Sequence, residues 1–211
     1  GYHWHHPCHE YPVADKRIKE VWAQTDKLLV VHKPDPTKSR GQYLDLLKLA
    51  VDEDPRCPRN AFYYARELTF YHKWLDAIVA LNKYLDMPEA TWQNERCYAM
   101  RLLGKAYDAL GQDGTEWFKK ACNEAPNTRE PWIELAESYM AKKKWRECYE
   151  AAMRSLDIKD KALVYTMRPD VWGSLPHDLI ALSAYYLNMK CEARHHGEIA
   201  LELEPDNERL K

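Results

Sequence analysis

A chain of 211 residues has room for one domain, or for a domain with an appendage, and its 45% of hydrophobic residues supplies a real core. Charged residues make up 30% and nearly cancel to a formal net charge of -2, which excludes nucleic acid or a membrane surface as a partner chosen by bulk electrostatics. Fourteen Tyr and 8 Trp against 3 Phe favour many half-buried surfaces with one wet edge over a single apolar centre.

The opening, Gly1 to Glu10, holds four of the nine histidines with a cysteine and a carboxylate. Zinc takes N and S ligands in a tetrahedron, and His3, His5, Cys8 and His9 offer them, but their spacing fits no standard structural site. A loop of partly exposed histidines and a metal shared with a further domain are the alternatives. The chain starts at Gly1 and not at Met, so the expectation is a cleaved tag or missing upstream sequence.

Leu28-Leu29-Val30-Val31 reads as a buried strand that stops at His32-Lys33-Pro34-Asp35-Pro36, where two prolines forbid continuation. A lone strand cannot bury itself, and the nearby sequence hardly supplies sheet partners. Thr37 or Ser39 then caps a helix over Gln42 to Asp52 with Leu44, Leu47 and Ala50 on one face, closed by Pro55 and Pro58.

From Arg59 onward apolar residues recur at spacings of three and four, and the segments repeat. Tyr64-Ala65 and Leu68 predict a first helix, with Ala77, Leu81 and Tyr84 on a second before Pro88. Leu103-Gly104 and Tyr107 lead through Gly111 to Trp117, Phe118, Ala121 and Pro126. Pro131-Trp132, suited to a helix start, leads through Leu135-Ala136 and Tyr139 to Trp145, Cys148 and Ala152. Leu182-Ser183 and Tyr186 lead to Ala193, Ala200 and Pro205. Bulky, small and closing-proline positions in this order resemble tetratricopeptide repeats, whose period is about 34 residues. Gly104 to Pro126 and Ser183 to Pro205 both span 22 positions, which predicts a shortened turn between helices in those two units. The uneven spacing of the units places inserted loops or short helices around Met87 to Asn94 and Lys159 to Leu175.

In such an array the first helix of each pair lines the concave wall. That puts Phe62, Arg66, Phe70, Tyr98, Arg101 and Lys105 on the inner face of the first two units, an aromatic and basic strip, with Glu137, Met140, Ile180 and Leu187 beyond it. The basic end suits an acidic peptide, a glycan or a phosphate-bearing ligand. Ordinary packing aromatics beside solvated cations are the alternative.

The six cysteines are scattered, with no metal-knuckle or disulfide pattern, and read as free thiols of a reducing, cytoplasmic setting. No apolar stretch approaches the roughly 18 residues of a membrane span, and no charged-then-apolar leader opens the chain.

Across nearly the whole length the order of motifs resembles the carboxyl-terminal region of bacterial and phage family-2 glycosyltransferases that carry tetratricopeptide-like repeats. The resemblance rests on Trp4 with Pro7-Cys8-His9-Glu10, His32-Lys33-Pro34-Asp35 with Lys38-Ser39-Arg40, Tyr63-Tyr64-Ala65-Arg66-Glu67, Trp92 with Glu95-Arg96, and Trp172-Gly173 with His177-Asp178. It implies that His9 stands near a divalent metal, Mn or Mg, on a sugar-nucleotide diphosphate. Lys38 and Arg40 then steady the phosphates, or form a solvated basic turn. The Asp-x-Asp metal motif and carboxylate base of such enzymes are missing here, so the chain alone is expected to be inactive and to carry no cofactor of its own.

The resulting expectation is a mainly α, tetratricopeptide-like helical-hairpin solenoid over residues 59–211, behind a short α/β remnant over 1–58. As a transferase tail it would position an acceptor or a partner. As a freestanding scaffold it would bind peptide or protein in the groove.

Overall fold

The computed structural model describes residues 1–5, 11–19, 21, 31, 33, 37, 41–162 and 164–208. In it the three-and-four spacing becomes helix α1 (Tyr43–Glu53) followed by four antiparallel pairs. These are α2 (Pro58–Phe70) with α3 (Trp74–Leu85), α4 (Gln93–Ala109) with α5 (Thr115–Glu124), α6 (Arg129–Ala141) with α7 (Trp145–Asp157), and α8 (Leu175–Tyr186) with α9 (Lys190–Leu203). The protein is mainly α, with a helical-repeat fold.

The small residues are what allow the pairs to close. Ala65, Ala136 and Ser183 are fully buried, and Gly104 occupies the same place in α4, where a Cβ would lie 2.6 Å from the Phe118 ring. On the facing helices Ala77, Ala121, Cys148 and Ala200 are likewise fully buried, so the Cys148 thiol packs as a small apolar residue. Phe62, Leu68, Leu81, Tyr84 and Leu103 form one core, and Ile133, Cys148, Val171, Leu179 and Ile180 another further along the stack.

All four turns share one backbone device, which Gly111 provides in the α4–α5 connection at φ of 73° with the Gln112 amide on the Tyr107 carbonyl. His72, Lys143 and Asn188 sit at φ of 55, 56 and 60°, and the next residue's amide reaches back to a carbonyl near the helix end, as in Lys73 to Leu68 and Lys144 to Tyr139. The expectation of shortened turns in the second and fourth pairs does not hold. The α4–α5 connection, Leu110 to Gly114, is longer than the three-residue turns elsewhere, and the short spacing in that unit comes from α5 being 10 residues long.

Successive first helices, α2, α4, α6 and α8, touch one another, while α3, α5, α7 and α9 do not, among the described residues. A stack drawn together on one side and fanned out on the other curves toward the closed side, so the first helices form its inner wall. Helix α1 packs on α2 as α3 packs on α4, through buried Leu47 and Ala50, and thus stands as the second helix of a pair whose first member is absent among the described residues.

The amino-terminal segment departs from expectation. Strands β1 (Tyr2–His5) and β2 (Tyr11–Ala14) pair antiparallel, with Tyr2 opposite Ala14 and Trp4 opposite Pro12, and contact no helix among the described residues. The anticipated strand at Leu28 to Val31 lies outside the described residues except for Val31, which is exposed and not in a strand. His3 faces Asp15 at 3.6 Å and His5 ends β1, while Cys8 and His9 of the zinc set lie outside the described residues. Among the described residues no three His, Cys, Asp or Glu gather as metal ligands.

Candidate functional site: the inner wall and its insertion

The inner wall is crossed by the chain itself. Between α7 and α8 the inserted residues 164–174, which include a 3-10 turn at Pro169–Trp172, lie over the first helices of the three preceding pairs. The base of the insertion is held by Arg129 of α6, whose Nε and Nη2 donate to the Ile158 carbonyl at 3.0 and 2.8 Å and whose Nη1 donates to the Val171 carbonyl at 3.3 Å. The guanidinium also lies 4.0 Å from the Trp172 ring centroid.

At its tip Tyr165 gives its hydroxyl hydrogen to Glu95 Oε2, while Tyr84 donates to Oε1 at 3.0 Å. Glu95 is only 7% exposed. Burial raises its carboxyl above the usual range, and the two phenol hydrogen bonds offset only part of that rise. The Tyr165 ring stacks with Tyr63 at 6.2 Å between centroids and tilts against Trp92 at 5.4 Å.

One residue on, the Thr166 carbonyl accepts from Arg101 Nη1 at 3.2 Å. The remaining Arg101 fork closes on Glu134, Nε to Oε2 and Nη2 to Oε1, both at 2.8 Å. Lys105 Nζ reaches Glu134 Oε1 at 2.7 Å, and Arg168 Nη1 reaches it at 3.1 Å. Arg168 also grips Glu137 with both terminal nitrogens, at 2.9 and 3.1 Å, and Asp170 at 2.6 Å. Burial alone would raise Glu134, but the Arg101 charge and hydrogen bonds, joined by Lys105, override it and hold the carboxyl far below its usual range. Three cations thus meet three carboxylates, and this stretch has no spare positive charge for a ligand.

The sequence-derived strip therefore divides. Phe62 is fully buried in the first core and Arg101 is 3% exposed and paired, so both are structural and not available to a ligand, a correction to their assignment as groove residues. Lys105 is half exposed but paired with Glu134, and Tyr98 is half buried with Arg101 stacked 4.8 Å from its ring. Ile180 is also core. Arg66 and Phe70 stand on the open wall: the Arg66 guanidinium lies 4.6 Å from the Tyr63 ring and 5.7 Å from Phe70, and its Nε is buried without a hydrogen-bond partner among the described residues. Phe70 and Tyr165, 5.7 and 6.0 Å from the guanidinium, are each roughly half exposed, as is Trp92 beyond Tyr165.

His9, Lys38 and Arg40, assigned to a metal and a diphosphate, lie outside the described residues. Tyr63, Glu95 and Glu134 were missed. Tyr63 shares a stripe with Arg59, Arg66 and Phe70 at helical spacings of four, three and four, and Glu95 precedes Tyr98 and Arg101 at threes, so helix periodicity held the signal for both. Nothing in the sequence points Tyr165 and Arg168 back across the array.

A second cluster joins α8 to α9, where His177 Nδ1 and His196 Nδ1 lie 2.8 Å apart with stacked rings. An open hollow of about 700 Å³ beside α3 is lined by Ile78, Val79 and Met87 together with Arg56, Lys83 and Asp86. No helix among the described residues is long and apolar enough to cross a membrane.

No protein-family model and no curated protein sequence matches the chain. Among solved structures, MamA superposes with a TM-score of 0.61 at 17% identity, over 79% of this chain and 89% of that one. Pseudomonas aeruginosa PilF gives 0.59 at 15% identity over 77% of this chain and 68% of that one. YrrB, described as a TPR protein with an unusual peptide-binding site, gives 0.58 at 13% identity over 81% and 80%. Identities this low establish the fold alone, which is of the tetratricopeptide type. None of the three is described as a glycosyltransferase.

Proposed function

We propose that this chain is a protein-interaction scaffold that holds an acidic, extended segment of a partner protein against the α2 and α4 end of its inner wall. The observation that carries this reading is the Arg66 guanidinium, which lies 4.6 Å from the Tyr63 ring and 5.7 Å from half-exposed Phe70 with its Nε unpaired among the described residues, on a wall where Arg101, Lys105 and Arg168 are consumed by carboxylates. A carboxylate from the partner pairs with the Arg66 guanidinium, and neighbouring aliphatic or aromatic residues cover Phe70 and Trp92. The likeness to YrrB supports a peptide as the kind of ligand.

An array of short peptides in which Asp or Glu adjoins an apolar residue tests it. Acidic members should bind the wild-type chain, and Arg66→Glu should weaken them at least about tenfold with the helical circular dichroism unchanged. Binding indifferent to Arg66→Glu refutes the assignment.

The transferase-tail reading, with its sugar nucleotide, acceptor and Mn or Mg, rests on the sequence resemblance alone, and His9, Lys38 and Arg40 carry it. Calorimetric titration of the chain with manganese and uridine diphosphate checks it, because heat of binding lost on His9→Ala is the result it requires. A cytoplasmic setting stays a proposal supported by Cys57, Cys97, Cys122, Cys148 and Cys191, which are all free thiols.

A further inference from the structure

The insertion is itself a piece of irregular chain lying on the wall where a partner segment would lie. Its anchoring contacts reach three first helices: the Tyr165 ring lies on Tyr63 of α2, the Tyr165 hydroxyl and the Thr166 carbonyl meet Glu95 and Arg101 of α4, and the Arg168 fork closes on Glu137 of α6. We infer that this stretch of wall is a docking site for a partner segment bearing a tyrosine and, three residues later, an arginine, and that residues 165–168 occupy it as a tethered stand-in. The inference rests on the scaffold reading and adds the partner's chemistry and a means of regulation.

Each contact reads a different property of the occupant. A buried carboxylate such as Glu95 is costly to leave short of donors, so a phenol is selected over a phenyl ring at that point. Arg101 reads only a backbone carbonyl and accepts any residue there. The fork of Arg168 on Glu137, at 2.9 and 3.1 Å, is a two-point match of planar groups that lysine cannot reproduce. The fit is close, since the cavity left beneath the tip beside Arg101 and Thr166 has a volume of about 10 Å³, at the lower limit for a single water.

The tip can leave without unfolding the pairs that flank it. Arg129 fastens the Ile158 and Val171 carbonyls to one guanidinium, so the base of the insertion is closed independently of Tyr165 and Arg168. Tyr165 stays 46% exposed even when docked, which gives an entering segment a place to begin displacement. A tethered occupant acts at high effective concentration, so a free peptide of equal contacts loses to it until the tether is cut or the partner adds contacts elsewhere, such as at Arg66.

The test replaces residues 159–168 with a short glycine-serine linker, keeping Ile158 and Val171, and uses a fluorescein-labelled peptide of residues 161–170 as probe. The shortened chain should bind this peptide at least about tenfold more tightly than the intact chain. Peptides with Tyr165→Phe or Arg168→Lys should each bind at least about tenfold more weakly. A shortened chain that folds but ignores the peptide, or binds all three peptides alike, overturns the inference. If the shortened chain does not fold, the intact chain with Tyr165→Ala and Arg168→Ala must gain binding of the same peptide in trans, and equal binding to wild type overturns it. Should this peptide fail while acidic array peptides still bind through Arg66, only the stand-in falls. The reverse pattern removes only the acidic preference.

Discussion

Tyr165 donates its hydroxyl hydrogen to Glu95, a residue 70 positions earlier in the chain and 7% exposed, and so ties the insertion before α8 to the first turn of α4. Tyr165→Phe keeps the ring on Tyr63 and Trp92 but leaves Glu95 with Tyr84 as its remaining phenol donor. The expected cost is about 1 kcal/mol of stability, or roughly 2–4 °C in thermal midpoint for a chain of this size. Hydrogen exchange should show faster exchange confined to the insertion. Equal loss of protection throughout α4 would place the role of Tyr165 in the hairpin itself and not in holding the tip.

Arg101 and Glu134 are the buried centre of the wall, with side chains 3% and 1% exposed. Arg101→Ala strands a carboxylate in the interior and should cost about 3–5 kcal/mol, since breaking a buried pair leaves one charge uncompensated. Replacing both, as Arg101→Met with Glu134→Leu, should recover much of that loss, although Lys105 and Arg168 then lose a shared acceptor. Urea denaturation of the two singles and the double measures the coupling. A double variant as unstable as the sum of the singles contradicts the picture of one interdependent pair.

Helix identity was written locally and the site was not. Ala65, Gly104, Ala136 and Ser183 announce close helix pairs because a small residue at a crossing is a short-range requirement. Spacing also told that extra chain lies between Asp157 and Leu175. It could not tell that this chain folds over α2, α4 and α6, because Tyr165 and Arg168 choose partners by where the stack curves. The same limit explains Arg101: on α4 alone it sits on an inward stripe beside Lys105, and only the presence of Glu134 on the next pair turns an apparent ligand cation into an internal one. Phe62 was misplaced by one step around α2, since half-buried Tyr63 carries the inner-face stripe.

Gly111 and Gly114 lie in one turn but resist substitution for different reasons. Gly111 has φ of 73° with open space where a Cβ would go, so Gly111→Ala should cost about 1–2 kcal/mol of left-handed strain. Gly111→Asn should recover part of it, because asparagine tolerates that region. Gly114 has an ordinary φ of -80°, but a Cβ there would stand 2.1 Å from the Gly104 carbonyl oxygen. Gly114→Ala should cost about 1–3 kcal/mol by forcing α4 and α5 apart, and asparagine should rescue nothing. Thermal melts of the four variants separate the two causes, and a rescue at Gly114 by asparagine would contradict the steric account.

His177 and His196 make the terminal pair sensitive to acid. Burial pushes the His177 imidazole down to about 4, and the neighbouring His196, Arg129, His195 and Lys159 act in the same direction. Burial and His195 lower His196 as well, against a weaker opposing pull from Glu192. Both rings thus hold protons less well in the folded chain than in the unfolded one, whose histidines titrate near 6.5. Stability contributed by the neutral pair is complete above that value, declines as the pH falls below it, and levels off once His177 is itself protonated near 4. At pH 5 the thermal midpoint should therefore lie several degrees below that at pH 7.5, with α8 and α9 losing hydrogen-exchange protection first. In His177→Gln the fall over the same interval should shrink to about half or less, because one of the two coupled imidazoles no longer has to accept a proton in order to unfold. An undiminished fall in the variant would assign the acid sensitivity to other groups and remove the histidine pair from the account.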